Sequence, residues 1–158
     1  MGRNGRMAAT GFVMGLLWVI LFAGPAFSHC EIPCGIYGDE TRFTMMREDI
    51  ATIEKSMKQI VELSKQASPN QNQIVRWVQN KEYHADKIRD VATQYFMAQR
   101  VKPVSSKGSA DQDAYLNKLK LLHEMIVTSM KCKQTTDLAH VEKLKQLVDR
   151  FEKAYLGN

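Results

Sequence analysis

The chain has 158 residues, 44% of them hydrophobic and 25% charged, with only 4 Pro and 9 Gly. That composition belongs to a folded domain; it excludes a disordered or fibrous chain, and so few breaks exclude a many-turned all-β sandwich. The net charge of +5 is spread along the chain, with no basic run interleaved with aromatics, which argues against a nucleic-acid partner.

The first 28 residues read as a leader. Arg3 and Arg6 precede an apolar run from Ala8 to Ala23, and Gly24-Pro25 then breaks it ahead of Ala26-Phe27-Ser28. A charged start, an apolar middle and small residues before a cut make up a secretory signal peptide. The run falls short of the roughly 20 residues a spanning helix needs. Cleavage is expected between Ser28 and His29. The domain would then cover residues 29–158, exported to a periplasmic, extracellular or lumenal compartment and free of the membrane.

Cleavage there would leave His29-Cys30-Glu31-Ile32-Pro33-Cys34-Gly35-Ile36-Tyr37 at the new N-terminus. The segment offers a primary amine, an imidazole, a backbone amide that can lose its proton, and two thiols. Amine and amide nitrogens of adjacent residues close a five-membered chelate ring, which enforces planarity. Planar nitrogen and sulfur donors suit Ni(II) or tetragonal Cu(II), whereas zinc favours a tetrahedral set. Pro33 stiffens the turn between the cysteines, and Gly35 lets the backbone come close to a ligand. Cysteine count alone favours a Cys30–Cys34 disulfide in an oxidising compartment. The complete motif favours metal, because a disulfide has no need of a preceding terminal His.

The run His-Cys-x-x-Pro-Cys-Gly-x-Tyr resembles the nickel hook of the nickel-containing superoxide dismutases. Farther on, Tyr95-Phe96 and Lys102-Pro103 resemble a diverged aromatic-Lys-Pro segment of that family. The resemblance implies conversion of superoxide to oxygen and hydrogen peroxide, with one nickel ion per subunit cycling between +2 and +3. It implies His29, Cys30 and Cys34 as metal ligands, with the His29 ring axial, and Tyr37 as the residue that limits access to the open axial face. It implies a homohexamer of four-helix bundles. Where the family often has Asp, Glu31 stands here. Some members hold the axial imidazole with a carboxylate early in the first helix, where this chain has Met45-Met46, with Glu48 just beyond. An exported, non-catalytic nickel- or copper-binding helical protein is the alternative.

Four helical patterns follow the hook. The first carries Met46, Ile50, Ile53, Met57 and Ile60, with Asp39 or Thr41 as cap and Ser68-Pro69-Asn70 as its close. The second runs from about Asn72 to Ala98 through Ile74, Val78, Ala85, Ile88, Ala92 and Tyr95. Lys81 is the polar member of its seam, expected to set register or to reach for solvent. A loop from Val101 to Ala110 comes next. The third pattern carries Tyr115, Leu119, Leu122, Ile126 and Ser129 after Asp111 or Asp113. The fourth carries Leu138, Val141, Leu144, Val148, Phe151 and Tyr155 after Thr136. Four such stripes are buried most simply in an all-α, antiparallel four-helix bundle. His84 is a candidate supporting residue behind the hook; His123 and His140 read as solvated. Cys132 reads as a half-buried structural thiol, and Trp77, Phe96, Val101 and Val104 as subunit-contact candidates or core.

Overall fold

The computed structural model describes residues 38–105, 108 and 110–157. The leader and the whole hook, with His29, Cys30, Cys34 and Tyr37, lie outside the described residues.

Helix α1 spans Glu40–Ser64, and its stripe of Phe43, Met46, Ile50, Ile53 and Met57 is buried. Ile60, the last expected member of that stripe, is only half-buried. The following link ends at Asn70, whose side chain accepts a hydrogen bond from the Gln73 amide (3.2 Å) and so starts α2, Gln71–Asp90. A side-chain oxygen at this position satisfies an amide that has no partner inside the helix.

From Val91 to Arg100 the same rod continues as a π-helix. The expected second helix is therefore present, but its last third is wound differently. The i→i+5 pattern is visible at its end, where the Val101 amide donates to the Phe96 carbonyl at 2.8 Å. Ten residues of π-helix are unusual, since such turns occur mostly singly and often at functional sites.

Helix α3 spans Ala110–Gln134, with Asp111 and Asp113 in its first turn and Lys131 and Lys133 in its last. Those charges oppose the helix dipole at both ends. Its buried stripe is Leu121, Leu122, Met125, Thr128, Ser129 and Cys132. This face is turned slightly from the one expected, and Tyr115, Leu119 and Ile126 pack at its margin. Helix α4, Leu138–Leu156, is capped by Asp137 rather than by Thr136, through the Ala139 amide at 2.9 Å. It ends at Gly157, whose left-handed φ of 77° lets its amide reach the Lys153 carbonyl. Leu138 is exposed, while Val141, Leu144, Leu147, Val148 and Phe151 form the buried face.

Each helix packs on two neighbours, in the ring α1–α2–α3–α4. Cross-helix ion pairs give the direction. Arg47, near the start of α1, meets Asp149 (2.9 Å) and Glu152 near the end of α4, and Glu54 meets Lys145 at 2.7 Å. The bundle is antiparallel, as the four stripes require. These pairs are solvent-accessible and each adds less than about 1 kcal/mol. The core carries the stability. Among the described residues, no helix is long and apolar enough to cross a membrane.

Candidate metal centre and the bundle end beside it

The described chain begins at Gly38, just ahead of α1, so this end of the bundle is the one that follows residues 29–37 in sequence. Gly38 sits there with φ of 76°, a left-handed turn that side chains other than glycine adopt only with strain. Asp39 follows. Its carboxylate does not cap α1, although Asp is among the best capping residues. It is instead the meeting point of three elements. Oδ1 accepts the Tyr95 hydroxyl proton. Oδ2 accepts from Arg100 (Nη2, 2.6 Å; Nε, 3.2 Å) and from the Tyr155 hydroxyl (2.6 Å).

Burial alone would raise the Asp39 carboxyl, but the hydrogen bonds from Arg100, Tyr155 and Tyr95 outweigh it and hold the group below the ordinary carboxylate range. Burial and the neighbouring Asp39 carboxylate push Tyr155 up to about 12, and they raise Tyr95 too. Both phenols therefore keep their protons and donate. A folded-state value below the unfolded one adds stability that is complete above the ordinary carboxylate range and is lost as pH falls through the folded value. The thermal midpoint of Asp39→Asn should thus fall less steeply than wild type as pH drops below about 4, as a series of melts across that range would show.

Behind this cluster lies the aromatic end of the core. Phe96 stacks edge-on against Phe151 and Tyr155 (centroids 4.9 and 5.2 Å) and lies 5.1 Å from Phe43. Phe96 and Val101 are core residues of this chain and drop out as subunit contacts; Trp77 is half-buried and Val104 exposed. Lys102 and Pro103 lie exposed in the loop after the π-helix. An open cleft of about 230 Å³ beside them is lined by Arg100, Lys102 and Lys118 together with Asp111, Tyr115 and Tyr155.

The positions that resemble the family's early carboxylate carry none on the inside: Met46 is buried and Glu48 is exposed. The inward acid is Asp49, 2% exposed. Its Oδ1 meets His84 Nδ1 at 2.6 Å and Lys87 Nζ at 2.7 Å, and its Oδ2 has no partner among the described residues. His84 is thus tied to α1 and is not a free surface histidine. His123 is exposed and His140 half-buried. Asp49 could have been noticed in the sequence as an acid lodged between Met46 and Ile50 on an apolar stripe. The role of Asp39 could not, since its partners lie 56 to 116 residues away.

Lys81 does not reach for solvent. It is 3% exposed, and its ammonium donates to the carbonyls of Lys133 and Thr135, closing the C-terminal end of α3. Nearby Cys132 is fully buried, and burial pushes its thiol up to about 11, with Lys81 opposing. A thiol that stays protonated at neutral pH is a poor ligand and a poor nucleophile. In the folded protein Cys132 should stay unmodified by a thiol reagent at pH 8 and react only on denaturation, as mass spectrometry before and after unfolding would show.

Among the described residues, no three of His, Cys, Asp and Glu converge to hold a metal ion. Cys132 is the wrong thiol for one. Donor types whose chemistry suits nickel (an amide nitrogen, two thiols and an imidazole) occur together in residues 29–34 of the sequence, outside the described residues. No curated protein and no solved structure matches the chain. The family model of nickel-containing superoxide dismutase matches residues 25–158, which takes in those donors and the entire bundle. The chain belongs to the nickel-containing superoxide dismutases, oxidoreductases with nickel as cofactor and superoxide as substrate.

Proposed function

We propose that this superoxide dismutase works through the hook at residues 29–37, exposed by cleavage after Ser28. The observation that carries the reading is that the family match begins four residues ahead of a His-Cys-x-x-Pro-Cys-Gly-x-Tyr run. His29 would offer nickel its new α-amine and its imidazole. Cys30 offers its backbone nitrogen and its thiolate, and Cys34 the second thiolate. Nickel, when bound, would supply a one-electron Ni(II)/Ni(III) couple.

What the protein supplies is charge, order and restricted access. Aqueous nickel is too hard to oxidise for this reaction; two thiolates and an anionic amide nitrogen donate enough charge to bring Ni(III) within reach. Overall, two superoxide anions and two protons give one oxygen and one hydrogen peroxide. Tyr37 stands three residues beyond Cys34 and would narrow the approach to bound nickel and donate to a small anion. Backbone N–H groups of the hook can donate to the same anion and to the sulfurs.

Export follows from the same cut. Removal of residues 1–28 would create the amine ligand and release the domain outside the cytoplasm in one event. Without Arg3 and Arg6 the 22 Lys and Arg fall to 20 against 17 Asp and Glu, a surplus of three that favours an anionic substrate only modestly. Assembly as a homohexamer rests on the family resemblance. Exposed Val75 and Tyr83 on α2 and Met130 on α3 give apolar surface for it.

The test is the intact mass of the mature protein, with superoxide removal assayed after addition of nickel, copper or zinc. A chain beginning at His29 and active only with nickel is the expected result. Another N-terminus, or activity indifferent to the metal, would sink the reading.

A further inference from the structure

The geometry points to Asp39 as the anchor that positions the hook: with Tyr95, Arg100 and Tyr155 it pins the point where the metal-binding segment enters the bundle. This inference rests on the hook being the nickel site.

Three observations converge on it. First, Asp39 leaves the local cap of α1 unmade, forgoing about 1 kcal/mol of helix stability that an Asp here ordinarily gives. Its carboxylate turns to partners from the π-helix and from the last turns of α4, so the start of α1 is tied to two other elements and not to itself. Second, those partners are matched to the charge. Both carboxylate oxygens are occupied, one guanidinium contributes two hydrogen bonds, and two phenols complete the set. Hydrogen bonds to an ionised acceptor are roughly twice as strong as neutral ones.

Third, the π-helix explains how Tyr95 and Arg100 reach the same carboxylate. In an α-helix, residues five apart point about 140° away from each other. Where the bonding is i→i+5, they lie one turn apart on one side. The unusual winding of Val91–Arg100 therefore serves this contact. Arg42, in the first turn of α1, adds its guanidinium over the Tyr95 ring at 4.8 Å, a second contact between this end of α1 and Tyr95.

The consequence for the metal follows from chain length. Asp39 is two residues beyond Tyr37 and five beyond Cys34. Five residues span at most about 18 Å, and helix ends fray unless they are held. With the anchor, Cys34 and Tyr37 depart from a fixed point. Without it, the first turn opens and the second thiolate and the gating tyrosine lose their common origin. Asp39 is a positioning residue, acting through the backbone of the hook and not by contact with substrate.

The experiment compares wild type, Asp39→Ala, Asp39→Glu and Tyr95→Phe, each cut at His29. Three quantities are read: nickel release to a competing chelator, amide hydrogen exchange at residues 37–42, and the thermal midpoint of the metal-free protein. Ile53→Val, a core change far from this end, serves as a control for general loss of stability. Asp39→Ala should release nickel about tenfold faster and exchange faster at residues 37–42. Tyr95→Phe should fall between it and wild type, and Asp39→Glu should recover part of the loss. Ile53→Val should lower the midpoint and leave nickel release unchanged. Wild-type nickel release and exchange in Asp39→Ala would overturn the proposal, as would an equal effect from Ile53→Val. Should Asp39→Ala fail to fold, Tyr95→Phe and Arg100→Gln decide by the same readouts. If wild type cut at His29 takes up no nickel, the hook reading fails, while exchange at residues 37–42 still judges the anchor.

Discussion

Cys30→Ser and Cys34→Ser are each expected to remove nickel-dependent superoxide turnover altogether while leaving the bundle folded. A serine hydroxyl keeps its proton at neutral pH, so each change removes one anionic sulfur donor and the charge that makes Ni(III) accessible. The loss should exceed the roughly 10- to 100-fold that follows from removing a group that merely supports a metal ligand. On the proposed ligand set fold and activity are separable, because Cys30 and Cys34 precede α1 in the sequence, whereas the core of the described residues begins at Phe43. His29→Ala makes a sharper comparison. The α-amine remains, so nickel should still be held, but without the ring turnover should fall. Stopped-flow decay of superoxide together with nickel content per chain separates the two losses. If both serine variants turn over at the wild-type rate, the ligand assignment is wrong.

The helices were legible in the sequence where burial follows period alone. In α1 and α4 the stripes Met46–Ile50–Ile53–Met57 and Val141–Leu144–Val148–Phe151 are the buried faces, because aliphatic residues on one side of a helix have one way to leave water. The stripe of α3 was read slightly off axis: Ser129 was included, but Thr128 and Cys132 are buried beside it, and such small side chains carry little hydropathic signal. The π-winding of Val91–Arg100 was not legible, since Val-Ala-Thr-Gln-Tyr-Phe-Met-Ala-Gln-Arg suits an α-helix equally well. Two of its residues, Tyr95 and Arg100, meet the carboxylate of Asp39, 56 and 61 positions away in the chain.

The hook is a different case: a chelating set is a matter of residue types at fixed spacing, so His29, Cys30 and Cys34 stand out within nine consecutive residues, and these lie outside the described residues. The roles of Asp39 and Lys81 were not legible, because they are polar groups whose partners lie on other elements. Asp39 read as a cap and Lys81 as a register or snorkelling residue. In the folded chain Asp39 joins three elements, Asp49 takes His84 and Lys87, and Lys81 closes the end of α3. Pattern finds apolar faces and local chelates. It does not find long-range polar contacts, which only the fold brings together.

Phe96→Ala should be the most damaging single change in the bundle, costing about 3–5 kcal/mol of stability. The ring is fully buried and packs against four others, those of Phe43, Tyr95, Phe151 and Tyr155, with centroids 4.9 to 5.2 Å away. Truncation removes the transfer energy of the ring and leaves a cavity that these rigid neighbours cannot close. The loss is a large part of the 5–15 kcal/mol that holds a typical domain together, so chemical denaturation should move to markedly lower denaturant with little change in slope. The effect should also reach the metal. Tyr95 and Tyr155, which hold Asp39, are two of the rings that rest on Phe96, so their hydroxyls lose their backing when the ring goes. Phe96→Leu, which refills most of the volume, should restore much of the stability. If the anchor at Asp39 works as inferred, nickel retention should recover with it, and denaturation curves run alongside chelator competition on both variants would measure the two recoveries together.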